Sequence, residues 1–219
     1  MRYLAAPLFL LIAGLSGPVL AAGDSGLDGA VARLADRWAT ITYQTHDMAR
    51  EEREMTALSA ESEKLAQDHP NAASPLIWDG IIKYSVASYV RGLKGFGLVK
   101  QAKVRFEQAL ALDPRNSVAL ANLGFLYYQV PGFPIGFGSD KKARQFIEQS
   151  LAIAPDDINA NYFYGDFLAE KGQYQQAKKV LEHGLALPTR PDHAVADEGR
   201  RGDIRTLLDR IARKLSHGA

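Results

Sequence analysis

QAKVRFEQALALDP (residues 101–114) and KKARQFIEQSLAIAP (residues 141–155) superpose without a gap. Ala102 falls on Ala143, Phe106 on Ile147, Ala109 on Ser150 and Pro114 on Pro155, each pair offset by 41. A third copy, QQAKKVLEHGLALP (residues 175–188), keeps the same internal steps of four and three at Ala177, Leu181 and Gly184, with Pro188 one residue early. Steps of three and four place such positions on one face of an α-helix, whereas a strand repeats every second residue. The chain therefore reads as a series of helical units.

Upstream of each copy lies a second apolar segment with a glycine inside it: LIWDGIIKY, ALANLGFLYY and NANYFYGDFL, carrying Gly80, Gly124 and Gly165. A glycine inside a helix costs about 1 kcal/mol relative to alanine. Its recurrence at matching places predicts the close approach of another helix. Ala102, Ala143 and Ala177 are the predicted partners, so that each unit is an antiparallel helix pair held by a small-on-small contact.

The middle unit, Leu120, Leu123, Gly124, Tyr127, Ala143, Ile147, Ser150 and Pro155, resembles the tetratricopeptide family. Its signature is an apolar residue, Leu-Gly and Tyr in the first helix, then Ala, an apolar residue, a small residue and Pro in the second. In the third unit the step from Gly165 to Ala177 is 12, as the family's roughly 34-residue repeat requires. The other two steps are 19 (Gly124 to Ala143) and 22 (Gly80 to Ala102), so their turns carry about 7 and 10 additional residues.

The resemblance implies an all-α, right-handed superhelical stack of antiparallel helix pairs, with repeats at residues 74–114, 117–155 and 158–188. Residues 23–73 read as a degenerate N-terminal hairpin, with Ala30, Leu34, Trp38 and Ile41 at helical steps followed by a charged run over residues 47–66. Residues 194–219 read as a C-terminal capping helix whose apolar stripe, Ile204, Leu207, Leu208, Ile211 and Leu215, lies opposite a polar outer face of Arg205, Asp209, Arg210 and Arg213. A terminal repeat needs such a cover.

Over 219 residues, 26 basic side chains stand against 25 acidic ones. That lack of basic surplus excludes a protein that tracks nucleic-acid phosphates. The absence of cysteine excludes disulfides, thiolate metal sites and a Cys nucleophile. Residues 1–22 combine Arg2, an apolar run over residues 3–15, the breaker Gly17-Pro18 and small residues up to Ala22. This order matches a secretory signal, cleaved after Ala21 or Ala22, and places the mature chain in the periplasm. The alternative is an uncleaved anchor, the only case in which membrane association is expected, and Pro18 counts against it.

No catalytic constellation assembles. His46, His69, His183, His193 and His217 lack metal-ligand spacing, and Glu51, Glu52, Glu54, Glu61 and Glu63 fall among Arg and Lys as in an exposed, ion-paired helix. The expectation is a non-enzyme with no cofactor and no metal. The segment VPGFPIGFGSDKK (residues 130–142) is apolar and glycine-rich yet lies in a turn. It lacks the Gly-Lys-Ser/Thr of a phosphate loop, and Asp140 would repel an anion. A rigid turn is expected, with Phe133, Ile135 and Phe137 packing on the repeat edge or meeting a partner, and residues 91–98 read as a shorter version of it.

Resemblance further implies that the first helices line a concave face that holds peptide or protein segments. The residues so placed are Ile77, Trp78, Ile81, Tyr84, Ala121, Asn122, Phe125, Tyr128, Asn159, Tyr162, Phe163 and Asp166, an aromatic set with oriented amides. The function expected is a periplasmic scaffold or adaptor for a cell-envelope protein or peptide partner. The alternative is the helical accessory component of a TRAP-type solute uptake system, which such exported chains also resemble, binding a small apolar ligand or a solute-binding protein.

Overall fold

The computed structural model describes residues 25–90 and 92–216; residues 1–22, read above as an export signal, and His217 lie outside the described residues. The chain is an all-α stack of helix pairs: α1 (Ser25–Gln44) with α2 (Met48–Asp68), α3 (Ala73–Ala87) with α4 (Gly92–Leu112), α5 (Ser117–Gln129) with α6 (Asp140–Ile153), and α7 (Ile158–Glu170) with α8 (Tyr174–Ala186). A single 3-10 turn, Pro191–His193, leads into the long α9 (Ala194–Ser216).

Helix starts follow the local sequence. Asp47, Asn116, Ser139 and Asp157 each stand just before a helix and accept a hydrogen bond from the backbone N–H three residues on. Such caps satisfy amide groups that have no partner within the helix. Between pairs, the buried Asn161 donates through Nδ2 to the carbonyls of Pro155 and Asp157 at 2.8 and 2.9 Å; within the α5/α6 pair, Ser150 Oγ donates to the Ser117 carbonyl at 2.8 Å.

The three glycines do mark close approach, but large side chains fill the space. A Cβ at Gly80 would lie 2.6 Å from the Phe106 ring, one at Gly165 2.5 Å from Leu181, and one at Gly124 2.6 Å from Ile147 Cγ1 and 3.0 Å from the Ala143 carbonyl. Each glycine is thus a notch that receives the apolar residue four positions after the recurring alanine of the second helix. Ala102, Ala143 and Ala177 are themselves fully buried, so the pairs are held by knob into notch instead of small on small. The physical reason is volume: a missing side chain leaves a void that only a large neighbour fills.

Residues 92–98 form the first two turns of α4, correcting the expected packed turn. Gly92 has φ +69°, a left-handed conformation that reverses the chain where most residues would be strained. At Gly95 a Cβ would sit 1.9 Å from the Val90 carbonyl oxygen, so only glycine lets the helix start there.

Nothing in the sequence patterns singled out Asp79, which is fully buried on α3. It accepts from Arg105 Nε at 2.7 Å and from Ser62 Oγ at 3.1 Å, while the buried Lys83 lies 3.5 Å away and also 3.3 Å from Glu63. This network ties α2, α3 and α4 together.

Two stability outcomes follow from this packing. Gly165→Leu is expected to overpack the α7/α8 pair by about 1–3 kcal/mol, lowering the melting temperature by several degrees while Gln175→Leu, at an exposed site on α8, leaves it near the parent value. Asp79→Ala is expected to cost about 3–5 kcal/mol, because Lys83 and Arg105 lose the buried countercharge between them; denaturant melts would show it, and a loss below that range would mean water replaces the carboxylate.

Candidate functional site

The first helices α3, α5 and α7 carry a run of aromatic contacts. Tyr84 and Phe125 meet edge to face with centroids 5.4 Å apart, Phe125 lies 5.4 Å from Tyr128 and 4.4 Å from Phe163, and Tyr162 lies 5.9 Å from Phe163. Tyr84, Phe125, Tyr128 and Tyr162 are half-buried, as is Ile81. Ile77, Ala121 and Phe163 are buried in the core, correcting their placement on an accessible face: the side of the helix that looks toward the concave face is also the side that neighbouring pairs press against.

Trp78 is half-buried. It packs against Trp38 of α1 with centroids 5.9 Å apart, and Trp38 Nε1 donates to Ser85 Oγ of α3 at 2.8 Å. The first helix of the N-terminal hairpin thus covers the α3 end of the concave face. Asn122 turns its amide to its own helix, donating to the Val118 carbonyl at 2.8 Å.

At the other end α9 does the same. Its apolar stripe is buried at Ile204, Leu207 and Ile211 as expected, but its polar side is not all outward. Arg200 Nε donates to Asn159 Oδ1 at 2.9 Å, and its guanidinium lies over the rings of Tyr162 (4.4 Å) and Phe163 (5.4 Å). Arg210, whose side chain is still half exposed, bonds Asp166 Oδ1 at 3.1 Å, so the polar side of α9 meets a partner as well as water. Helix α9 also reaches α1: Tyr43 Oη donates to Asp203 at 3.1 Å, and a Cβ at Gly199 would lie 2.2 Å from the Tyr43 ring. The two ends of the chain therefore meet across the concave side.

A cleft of about 630 Å³ remains between α5, α7 and α9, walled by Tyr128, Tyr162, Asp166, Asp203, Arg210 and Arg213 and extending to Glu170, Lys171 and Thr206. Asp166 is its centre, accepting from Tyr128 Oη at 2.6 Å on one oxygen and from Arg210 on the other. Burial, reinforced by the Asp166 carboxylate, pushes the Tyr128 hydroxyl well above its ordinary pKa; burial pushes Tyr162 up too and Tyr84 to about 12. These phenols stay protonated donors at any neutral pH. Thr206 donates to its own helix at the Gly202 carbonyl, 3.0 Å away. Among the described residues no group of three or more His, Asp and Glu side chains is placed to hold a metal ion.

Of the residues expected on the concave face, Tyr128, Tyr162 and Asp166 line this cleft and Asn159 lies under Arg200, whereas Ile81, Tyr84 and Phe125 pack against the core. Asp203, Arg210 and Arg213 were missed as site residues because helical period tells which residues share a face, not what that face meets. The turn over residues 131–138 divides in two. Phe137 packs between Phe96 (6.4 Å) and Tyr127 (5.6 Å), whereas Phe133 and Ile135 stand 93% and 76% exposed.

Paired helices stacked in sequence, with glycine notches repeating at one place in each first helix, define an all-α repeat solenoid. Residues 141–195 match the family model described as tetratricopeptide repeat. Among solved structures the chain is similar to TTC0263, a thermophilic TPR protein in Thermus thermophilus, at 17% identity and a TM-score of 0.60, covering 86% of this chain and 82% of that one. A crystal structure of MamA overlaps at 15% identity and a TM-score of 0.45, over 78% of this chain and 95% of that one. A search of curated proteins returns no match.

Proposed function

We propose that the chain is a non-catalytic scaffold of the cell envelope that holds an extended segment of a protein partner in the cleft between α5, α7 and α9. One observation carries this: the cleft presents hydroxyl donors, carboxylates and guanidiniums from three helices around a single space of about 630 Å³. Lys171, Arg210 and Arg213 face Asp166, Glu170 and Asp203 there, so cation and anion are balanced. Such a lining suits a peptide, whose backbone offers alternating donors and acceptors, and suits neither an apolar cargo nor an isolated anion.

The non-catalytic reading rests on the same residues. A nucleophile needs an adjacent base, but the one lining hydroxyl outside the tyrosines, Thr206, is spent on its own helix, and the tyrosines are held protonated. The envelope location rests on the order of residues 1–22, which is that of an export signal.

Affinity capture from envelope extract, read by mass spectrometry, tests both halves. The parent chain is expected to begin near Ala22 or Gly23 and to enrich a partner that the Asp166→Asn/Arg210→Ala variant loses by about tenfold or more, in line with central anchors in an interface. Equal enrichment by parent and variant would remove the cleft from the function. An intact Met1 terminus would remove the cleaved export signal.

A further inference from the structure

The near-neutral total hides a segregation of charge. From Gly80 to Phe106 the sequence holds Lys83, Arg91, Lys94, Lys100, Lys103 and Arg105 and no acidic residue, and from Pro114 to Ser139 no acidic residue occurs either. Asp140, paired with Lys171 at 2.6 Å, comes next, and Lys141, Lys142 and Arg144 follow it. Acidic residues gather elsewhere, with six Asp or Glu against three Lys or Arg on α2.

The fold brings the two acid-poor insertions to one edge. Phe96, at the start of α4, stacks on Phe137 of the α5/α6 turn, and Phe137 meets Tyr127 edge to face. Lysine ammonium groups lie over this cluster: Lys100 over Phe96 at 4.6 Å, Lys103 over Phe137 at 5.6 Å and Lys142 over Tyr127 at 5.1 Å. The two insertions joined there carry three large apolar side chains in water: Leu93, one turn before Phe96, is 91% exposed, Phe133 93% and Ile135 76%.

The tip that carries Phe133 and Ile135 is a closed frame. Gly138 N donates to the Pro131 carbonyl at 2.9 Å, and the Ile135 and Gly136 N–H groups both donate to the Gly132 carbonyl at 3.2 and 3.1 Å. A Cβ at Gly138 would collide with the Val130 carbonyl oxygen at 1.9 Å, and one at Gly136 with the Pro131 carbonyl oxygen at 2.4 Å. The turn is thereby held in a shape that displays its apolar side chains.

We infer that this edge, Leu93, Phe133 and Ile135 framed by Lys94, Lys100, Lys141 and Lys142, docks the protein on the surface of an anionic phospholipid bilayer. Projecting apolar side chains gain by leaving water for the acyl boundary, while flanking lysines reach the headgroup charge through long apolar stems. A protein partner would need a separate pocket for each protruding side chain. A bilayer needs none, because its apolar region accepts any shape, and its anionic headgroups supply countercharge to Lys94, Lys100, Lys141 and Lys142. The surface is distinct from the cleft: on α5, Tyr127 faces this edge and the next residue, Tyr128, faces Asp166. The two sites are therefore separable by mutation.

Co-sedimentation of the full chain with vesicles tests it. The chain is expected to partition onto phosphatidylcholine vesicles containing phosphatidylglycerol, weakly onto phosphatidylcholine alone, and to be released by added salt. Leu93→Ser/Phe133→Ser/Ile135→Ser and Lys94→Gln/Lys100→Gln/Lys141→Gln/Lys142→Gln should each lose about tenfold or more in partition, with Arg210→Ala in the cleft unchanged. The exposed positions should leave the melting temperature at its parent value; if the triple variant melts lower, Phe133→Ser alone decides, with a loss of at least about threefold expected. Partition equal on both vesicle types, which an apolar N-terminal segment would produce, overturns the inference. So does unchanged partition of the serine or glutamine variants, or a parent chain that stays in solution with anionic vesicles.

Discussion

The insertion of one large apolar side chain into one glycine notch is the interaction on which the rest of this molecule depends. Phe106 at Gly80, Ile147 at Gly124 and Leu181 at Gly165 repeat the same contact in three successive pairs. Each knob is fully buried. A glycine weakens its own helix by about 1 kcal/mol against alanine, and burying a Phe, Ile or Leu side chain in the space it leaves returns more, about 1.5–3 kcal/mol. Because the notch faces the second helix of its own pair, the flanks of α3, α5 and α7 are free to carry the aromatic run that packs pair on pair. The concave side then inherits whatever those flanks display.

The repeat architecture was legible because it is written in spacing. Gly80, Gly124, Gly165 and the three copies of the second helix could be aligned without any coordinates. The identity of the knob was not read, although a volume argument pointed to it: Ala102 and Phe106 share a helix face, so period cannot choose between them, but only the larger one fills a missing Cβ. Residues 92–98 misled through composition. Glycines at 92, 95 and 97 argue against a helix in isolation, yet the contact between Gly95 and the Val90 carbonyl makes glycine the residue that fits. Buried Asp79 and its partners Arg105 and Lys83 gave no signal at all, since only the fold assembles them with Ser62 and Glu63 from a separate stretch.

In the site the limit is sharper. Tyr128, Tyr162 and Asp166 were expected on the concave flank by resemblance, and they line the cleft. Of their partners on α9, Arg210 was expected on a polar outer face. Helical period separates an apolar stripe from a polar one, but a polar stripe meets water only if no other surface is opposite it. Here Asp166, Asn159 and the Tyr162 ring are opposite it, and Arg210 and Arg200 bind them.

The consequence is a solenoid whose concave face is largely covered by its own ends, with α1 over Trp78, α9 over Tyr162 and the cleft in the remaining opening. Tyr43 and Gly199 are the point where those ends touch. The chain contains no cysteine, so a Tyr43→Cys/Gly199→Cys pair offers an unambiguous reading of that contact. With the Gly199 Cβ position 2.2 Å from Tyr43 Cγ, the two new Cβ atoms lie at or just inside the roughly 3.5–4.5 Å of a disulfide, which a slight separation of the two helices reaches. Mild oxidation should give an intramolecular disulfide in nearly all molecules, with a raised melting temperature. Thiols that stay free in the folded monomer would contradict a closed concave face.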